Sequence, residues 1–177
     1  MKKHEEIILK KLNLRKDISK NYLGWLNDSE VQKYTEQNYK KHSLIDIRNF
    51  VKKKNESKKE FLYGIFLKKN NLDIHIGNIK LGPINFELKS AQISYFIGEK
   101  ELWGNGYATL AIKEIIKVAK KKGIKKLKAG LYVKNISSKK VLIKNGFKKE
   151  KDLIYVGLER LCNQSLLKLY FYYCLIK

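Results

Sequence analysis

Apolar residues along this chain recur with two periods, and the changes between them give the order of its structural elements. Alternating or continuously apolar stretches predict strands over 6–14, 61–67, 72–81, 87–98 and 127–133. Apolar residues three and four positions apart predict helices over 17–34, 43–54, 107–120 and 135–145. Strand-rich sequence follows as far as residue 177. The predicted order is strand, helices, three strands, helix, strand, helix and further strands.

Polar residues and glycines mark where the predicted helices begin and end. The first helical stretch is expected to divide near residues 27–29, where Asp28 or Ser29 can cap a second helix. Ser43, with Asp46 three positions later, is typical of a helix start. Gly123 and Gly146 follow the last apolar positions of the two later helices and are expected to end them.

This element order predicts an α/β fold. Sequential strands joined by hairpins pair antiparallel, whereas the two strand–helix–strand units after residue 90 add a local parallel crossover. We therefore expect one mixed, mostly antiparallel central sheet with helices on both faces. The chain has 177 residues and neither an internal repeat nor a linker, so a single domain over 1–177 is expected.

Composition narrows the functional classes. Hydrophobic residues make up 44% of the chain, but no stretch approaches the 18 uninterrupted apolar residues of a membrane span. The N-terminal residues contain no apolar signal region, which favours a cytoplasmic location. Cys162, Cys174 and three scattered histidines lack metal-site spacing, so free thiols and no metal are expected.

The net charge of +22 raises the question of nucleic-acid binding. Only three of the 39 basic residues are arginines, which nucleic-acid sites favour for bidentate contacts. The lysines are spread over nearly every segment, which argues against a nucleic-acid site. Such a surface would still attract phosphorylated small molecules.

A pair of glycines between a predicted strand and a predicted helix is the most informative motif. Gly104 and Gly106 allow backbone N–H groups to approach an anion, and the helix dipole favours negative charge there. A dinucleotide-binding loop would need a third glycine where Thr109 stands, and a P-loop would need Gly-Lys-Ser/Thr where 106–108 is Gly-Tyr-Ala. A phosphate site of another kind and an ordinary structural turn both remain possible.

The element order, with this turn after the fourth strand, resembles the GNAT superfamily of acetyl-CoA-dependent N-acetyltransferases over almost the whole chain. In that family the turn reads Gln/Arg-x-x-Gly-x-Gly/Ala, and its amides bind the pyrophosphate of coenzyme A. Residues 101–106 read Glu-Leu-Trp-Gly-Asn-Gly. The glycines match, whereas Glu101 replaces the usual Gln or Arg, so no side-chain role is transferred to it.

Three blocks resemble one branch of the family in particular, the Rim-type ribosomal-protein N-terminal acetyltransferases. Residues 103–109 resemble its turn, and Asn-Ile-Ser-Ser at 135–138 with Lys-Asn-Gly-Phe at 144–147 resembles its Asn-x-x-Ser…Lys-x-Gly-Phe block. Residues 25–31, followed by Tyr34, resemble its substrate-side helices. The blocks occur in the family's order.

The resemblance implies a cofactor site at the ends of two strands and in the turns that follow them. Its members are Phe96, Ile97, Gly98, Trp103, Gly104, Asn105, Gly106, Tyr107, Ala108, Asn135, Ser138 and Lys144. In the family, the strand end that matches 96–98 splays from its neighbouring strand, and its free backbone groups bond the pantetheine arm as they would an added strand. Alternatively, 96–98 is simply the end of a core strand. Asn135 would cap the next helix, face the cofactor, or both.

The implied reaction is direct attack of a primary amine on the acetyl thioester. Ser138 resembles the family's serine that stabilises the departing thiolate. Alternatively, Ser138 is only a serine at the start of a helix, and its neighbour Ser137 could be the matching residue instead. A base must deprotonate the ammonium group. Glu159 is the candidate base, although it could instead be a surface carboxylate beside Arg160. Glu87 is a poorer candidate, and a water chain to backbone carbonyls would need no side-chain base.

The acceptor implied by the resemblance is a peptide or small-molecule amine: a protein N-terminal α-amine, an amino-sugar nucleotide or another small amine. Tyr22, Trp25, Tyr34 and Tyr39 could line its cleft or pack the helices, with Trp25 expected in the core. The protein would act as a monomer or homodimer. The alternative class is a non-catalytic basic module that binds acyl-CoA or nucleic acid.

Overall fold

A computed structural model describes residues 6–35, 41–155 and 167–176, with side chains described outside 151–170. The strands and helices follow one another in the predicted order. In chain order they are β1 (Glu6–Lys11), α1 (Lys20–Asn27), α2 (Ser29–Gln32), α3 (Leu44–Glu56), β2 (Phe61–Lys69), β3 (Leu72–Asn85), β4 (Ser90–Ile97), α4 (Tyr107–Lys121), β5 (Lys126–Tyr132), α5 (Ile136–Lys144), β6 (Lys148–Tyr155) and β7 (Leu167–Leu175). A 3-10 turn, Lys100–Leu102, lies between β4 and α4.

The strands form one seven-stranded sheet in the order β1-β2-β3-β4-β5-β7-β6. Neighbouring strands are antiparallel except β4 and β5, which α4 connects as a parallel pair. The expected mixed, mostly antiparallel α/β sheet is confirmed. The second strand–helix–strand unit gives no direct parallel pair, because β7 inserts between β5 and β6.

The third strand is longer than the sequence predicts. The predicted range ends at Leu81, before Gly82 and Pro83, but β3 continues to Asn85. The register against β4 shifts between Leu81 and Ile84, and this bulge takes Pro83, which has no N–H, out of the ladder. The predicted end of the strand is therefore wrong by four residues.

The predicted helix starts are confirmed by their side-chain caps. The first helical stretch divides at Asp28, whose Oδ1 accepts from the N–H groups of Glu30 and Val31 at 2.8 and 3.2 Å. Ser43 and Asp46 form a reciprocal capping box at the start of α3. These bonds satisfy N–H groups that have no partner within the helix.

Each face of the sheet carries its own hydrophobic core, which confirms helices on both faces. One core packs α4 and α5 on alternate residues of the central strands, such as Ile93 and Leu127. The other packs α1, α2 and α3 on the opposite face, where Phe96 contacts it. Trp25 is 6% exposed in this second core, so it packs the helices as expected.

His75 is half-buried and packs against aromatic residues of the second core. Its ring centroid is 5.0 Å from that of Trp25 and 4.9 Å from that of Phe66. Its Nε2 lies 3.1 Å from Asn78 Oδ1. Burial lowers the pKa of His75, and Asn78 and then Asp17 offset part of this effect.

This burial predicts that the protein loses stability on mild acidification. Between the unfolded histidine pKa of about 6.5 and the lower folded pKa of His75, the unfolded chain binds more protons. The free energy of unfolding should therefore fall as the pH drops below about 6.5. Urea titrations from pH 7.5 to 5.5 should show this slope in the wild type and in His42→Gln, and a reduced slope in His75→Gln. An unchanged slope in His75→Gln would assign the effect to other groups.

Candidate functional site

The parallel pair at the centre of the sheet opens towards one end. Residues 90–92 of β4 pair with 126–128 of β5. β4 nevertheless stays paired with β3 as far as Ile97, and β5 stays paired with β7 as far as Tyr132. The two central strands therefore separate beyond Gln92 and leave a V-shaped gap, here called the split.

Strand alternation decides which backbone groups face the split. The N–H of Gly98 donates to the carbonyl of Ile76 at 2.8 Å, on the β3 side. Because successive residues point their backbone groups to opposite edges, those of Ile97 and Tyr95 face the split, whereas those of Phe96 face β3. Of the predicted strand-end residues 96–98, only Ile97 presents its backbone groups to the split.

Phe96 and Gly98 fix the end of β4 against the helices. The ring of Phe96 lies 6.4 Å from that of Trp25 in an edge-to-face arrangement. The backbone of Gly98 packs against the Trp25 indole so closely that a Cβ at this position would overlap the ring. These two residues thus set where the upper end of β4 lies.

The glycine turn follows at the same end of the sheet. Gly104 and Gly106 have φ of 78° and 86°, in the left-handed region that favours glycine. A Cβ on either residue would meet no atom within 4 Å, so conformation and open space, rather than packing, define the loop.

The N-terminus of α4, which this loop opens, is suited to an anion. Gly106 supplies no side-chain cap, and the first turn of α4 carries no acidic residue. The positive end of the helix dipole therefore faces open space, with no carboxylate in the helix's own first turn to neutralise it.

The other residues of the turn tie the loop to the strand end. The indole Nε1 of Trp103 donates to the carbonyl of Ile97 at 2.9 Å, and the Asn105 amide donates to the Trp103 carbonyl at 3.3 Å. Tyr107 is buried in the first core, whereas Ala108 is half-buried on the first turn. The loop and the mouth of the split are therefore contiguous.

On the far side of the split, the start of α5 is held by Asn135, which the sequence analysis singled out, and by Tyr95, which it did not. The Oδ1 of Asn135 caps the helix by accepting from the N–H of Ser138 at 3.0 Å. The hydroxyl of Tyr95 donates to the carbonyl of Ser138 at 3.5 Å, and burial raises the pKa of Tyr95 to about 12. The Tyr95 hydroxyl is thus a neutral donor, and its hydrogen bond links β4 to α5 across the split. The strand pattern of the sequence did not indicate this role.

The end of α5 is linked to the start of α4. The Asn145 side-chain amide donates to the carbonyl of Thr109 at 3.2 Å. Lys144, beside it, is exposed in the last turn of α5. Both helices that flank the split are therefore fixed to one another near the glycine turn.

The opposite face of the sheet forms the other entrance to the split. The ring of Tyr34, after α2, lies 6.4 Å from that of Tyr132 at the end of β5. Tyr22 packs with Trp25 in the second core, and Tyr39 lies outside the described residues. Of the three described aromatic residues proposed for an acceptor cleft, Tyr34 is the one at this entrance.

The candidate bases are less well placed. Glu159 lies outside the described residues. Glu87 precedes β4, at the opposite end from Ile97, and the eight residues of β4 hold its two ends about 23 Å apart. Within the described ranges there is no cluster of three or more His, Cys, Asp or Glu side chains suited to a metal. The described helices also include none long and apolar enough to cross a membrane.

Comparison with known proteins identifies this arrangement. Residues 6–148 match the model of the acetyltransferase (GNAT) domain family. The chain therefore belongs to the GNAT family and is an acetyltransferase. No curated protein sequence matches it.

Solved structures share the fold at low sequence identity. Spermidine N-acetyltransferase from Vibrio cholerae, in complex with CoA and spermine, is 20% identical with a TM-score of 0.79, covering 97% of this chain and 96% of that one. The RimL ribosomal-protein alpha-N-acetyltransferase, in complex with coenzyme A, is 19% identical with a TM-score of 0.80, covering 97% and 94%. A microcin self-immunity acetyltransferase, in complex with acetyl-CoA and AMP, is 21% identical with a TM-score of 0.77, covering 97% and 93%.

Proposed function

We propose that this protein transfers the acetyl group of acetyl-CoA to a primary amine by direct attack. The observation that carries the proposal is the meeting of the split with the glycine turn at one end of the sheet. The Trp103–Ile97 bond joins the two features. A ligand with a diphosphate next to an extended amide-containing arm fits this combination, because the turn suits the diphosphate and the split suits the arm.

In this proposal the cofactor is bound largely by main-chain groups. Amides of Gly104, Asn105, Gly106 and the first turn of α4 hold the pyrophosphate. The pantetheine arm bonds the strand edge at Ile97 and Tyr95, as an added strand would. Trp103, Tyr107 and Ala108 shape the turn, while Lys144 offers a charge to the phosphates.

The reacting atoms are placed where β4 faces α5. The Ser138 hydroxyl stabilises the departing thiolate by hydrogen bonding. Asn135 and Tyr95 position Ser138, because one bonds its N–H and the other its carbonyl. Holding the thioester and the amine in one gap supplies rate through proximity.

The acceptor amine enters from the face that carries Tyr34 and Tyr132. Glu159, or a water chain to backbone carbonyls, removes its proton before the attack. The Rim-type blocks favour a protein N-terminal α-amine, with amino-sugar nucleotides and other small amines as the further candidates. Two structural neighbours are named as acetyltransferases of spermidine and of a ribosomal protein, and a third as an acetyltransferase of self-immunity to microcin C7. We place the enzyme in the cytoplasm as a monomer or homodimer.

The test is acetyl-CoA-dependent release of free thiol, measured against a panel of amines. A peptide N-terminus, an amino-sugar nucleotide and a polyamine represent the candidate acceptors. Acceptor-dependent thiol release supports the proposal. Tight acetyl-CoA binding without release would favour a non-catalytic acyl-CoA module, and binding of nucleic acid that weakens steeply with salt would favour a basic nucleic-acid module.

Ser138→Ala should lower kcat about tenfold or more while leaving the affinity for coenzyme A nearly unchanged. The hydroxyl is proposed to act on charge that develops on sulfur, whereas the backbone bonds to Asn135 and Tyr95 remain. Steady-state kinetics and calorimetric binding separate the two quantities. Ser137→Ala, on the neighbouring exposed residue, is the matched control. Equal kcat in the two variants would remove Ser138 from the reaction.

A further inference from the structure

We propose that the acceptor carries negative charge at a distance from its amine, and that a positively charged trough on the sheet binds that part. The inference rests on the proposed acetyl transfer. The trough lies on the face of β4 and β5 that carries the acceptor entrance. Its floor consists of Ser94 and Gln92 on β4 and of Gly130 and Lys128 on β5.

The side-chain alternation of both strands places this floor on the acceptor face. Ala91 and Ile93 are buried in the first core, so Gln92 and Ser94 point to the opposite face, where both are exposed. Leu127, Ala129 and Leu131 are buried in the same core, which turns Lys128 and Gly130 to the acceptor face as well.

Aromatic residues close the trough at the C-terminal ends of β4 and β5, next to the split. Phe96 lies against Trp25, and Tyr132 lies against Tyr34, on the same face as the floor. An amine that enters the split beside these aromatic residues would extend the rest of its molecule along Ser94 and towards Gln92, where the described face is open.

A cleft continues the trough at its other end, beside the N-terminal ends of β4 and β5. It has a volume of about 590 Å³ and is lined by the β3–β4 hairpin, by Gln92 and by Lys128. Phe86 and Leu88 of this hairpin are 56% and 71% exposed. Ser94 and Ser90 are four strand residues apart, so the cleft begins about 13 Å or less from the split.

The charge of this cleft favours an anion. Lys59 and Lys128 line it, and Glu87 is the one carboxylate among the described residues that line it. In the part of the chain whose side chains are described, neither lysine forms an ion pair.

The nearby carboxylates outside the cleft are already paired. Glu60 contacts Lys54 and Lys80, and Glu150 contacts Lys126. Glu87 is therefore the one described lining carboxylate that competes with an anionic chain for Lys59 and Lys128, and the surplus of lysines favours such a chain over a polyamine.

The shared chemistry of the acceptor is thus a primary amine with carboxylate or phosphate groups about 10 Å away along an extended chain. The N-terminus of an acidic peptide and an amino-sugar nucleotide both have it. The exposed Phe86 and Leu88 would pack against the less polar part of either molecule.

The experiment compares matched acceptors on the full chain by thiol release. A serine-initiated tetrapeptide with three aspartates is compared with versions containing three alanines or three lysines, and an amino-sugar nucleotide is compared with the free amino sugar. We expect at least a tenfold higher kcat/KM for an anionic member than for its neutral partner, and spermidine to be the poorest acceptor. The preferred pair distinguishes peptide from nucleotide. Neutral acceptors or spermidine used as well as the anionic ones would overturn the inference, whereas no release with any amine would instead overturn the proposed transfer.

Variants locate the effect in the trough. Lys128→Gln should raise KM for the anionic acceptor about tenfold with little change in kcat, and Lys128→Glu should raise it further. Both should leave KM for the alanine peptide unchanged. Lys121→Gln, an exposed lysine at the far end of α4, is the matched control and should leave every KM unchanged. Equal KM values for Lys128→Gln and Lys121→Gln with the anionic acceptor would also overturn the inference.

Discussion

Gly104→Val should reduce the affinity for coenzyme A at least 100-fold. Valine is β-branched and strongly disfavours the φ of 78° that Gly104 adopts, so the loop would leave the conformation that turns its amides to the anion. Calorimetric titration with coenzyme A measures the effect directly. The expected loss exceeds that of any single side chain, because one substitution moves several main-chain donors together.

The chain offers a closely matched control at the other end of the same helix. Gly123 has φ of 74°, and a Cβ there would also meet nothing within 4 Å. Gly123→Val therefore carries the same backbone strain and tests the general cost of a strained turn. Its affinity for coenzyme A should be close to that of the wild type. A similar loss of affinity in both variants, or in neither, would contradict the proposed diphosphate site.

Gly98→Ala should destabilise the protein by about 3 kcal/mol and raise KM for acetyl-CoA. The new methyl group would overlap the buried Trp25 indole, so either α1 or the end of β4 must move. A displaced strand end carries the backbone groups of Ile97 out of register with the cofactor arm. Urea unfolding and steady-state kinetics measure the two effects.

Two further variants assign this loss to the indole contact. Gly24→Ala, on α1, adds a methyl group that meets nothing within 4 Å, and it should be neutral or stabilise the helix by up to about 1 kcal/mol. In a Trp25→Leu background, where the ring is absent, Gly98→Ala should cost much less than it does in the wild type. The same cost in both backgrounds would show that the indole contact is not the cause.

Local patterns were enough to predict the element order, the helix caps and the position of the glycine turn. The capping residues Asp28 and Ser43 act within three or four positions of themselves, so their roles need no tertiary information. The same is true of Gly104 and Gly106, because a left-handed turn before a helix is a local property. The family resemblance built on these patterns is confirmed by the GNAT domain match over 6–148.

Features that depend on contacts between distant residues were not determined by the sequence pattern. The periodicity of β5, β6 and β7 predicts strands but not that β7 lies between the other two. Pro83 reads as a strand end, and only the bulged pairing with β4 shows that the strand continues. Nor does any local pattern give the hydrogen bond between Tyr95 and Ser138, which are 43 residues apart.

The amino-acid sequence by itself determined the elements, their caps and the glycine turn, because each follows from a few neighbouring residues. Only the tertiary structure decided where β4 and β5 separate, which edge of β4 faces the gap, and that Lys128 and Lys59 line one cleft. The physical reason is that strand pairing joins residues far apart in the chain. A one-residue change of register would turn every side chain of the trough to the other face.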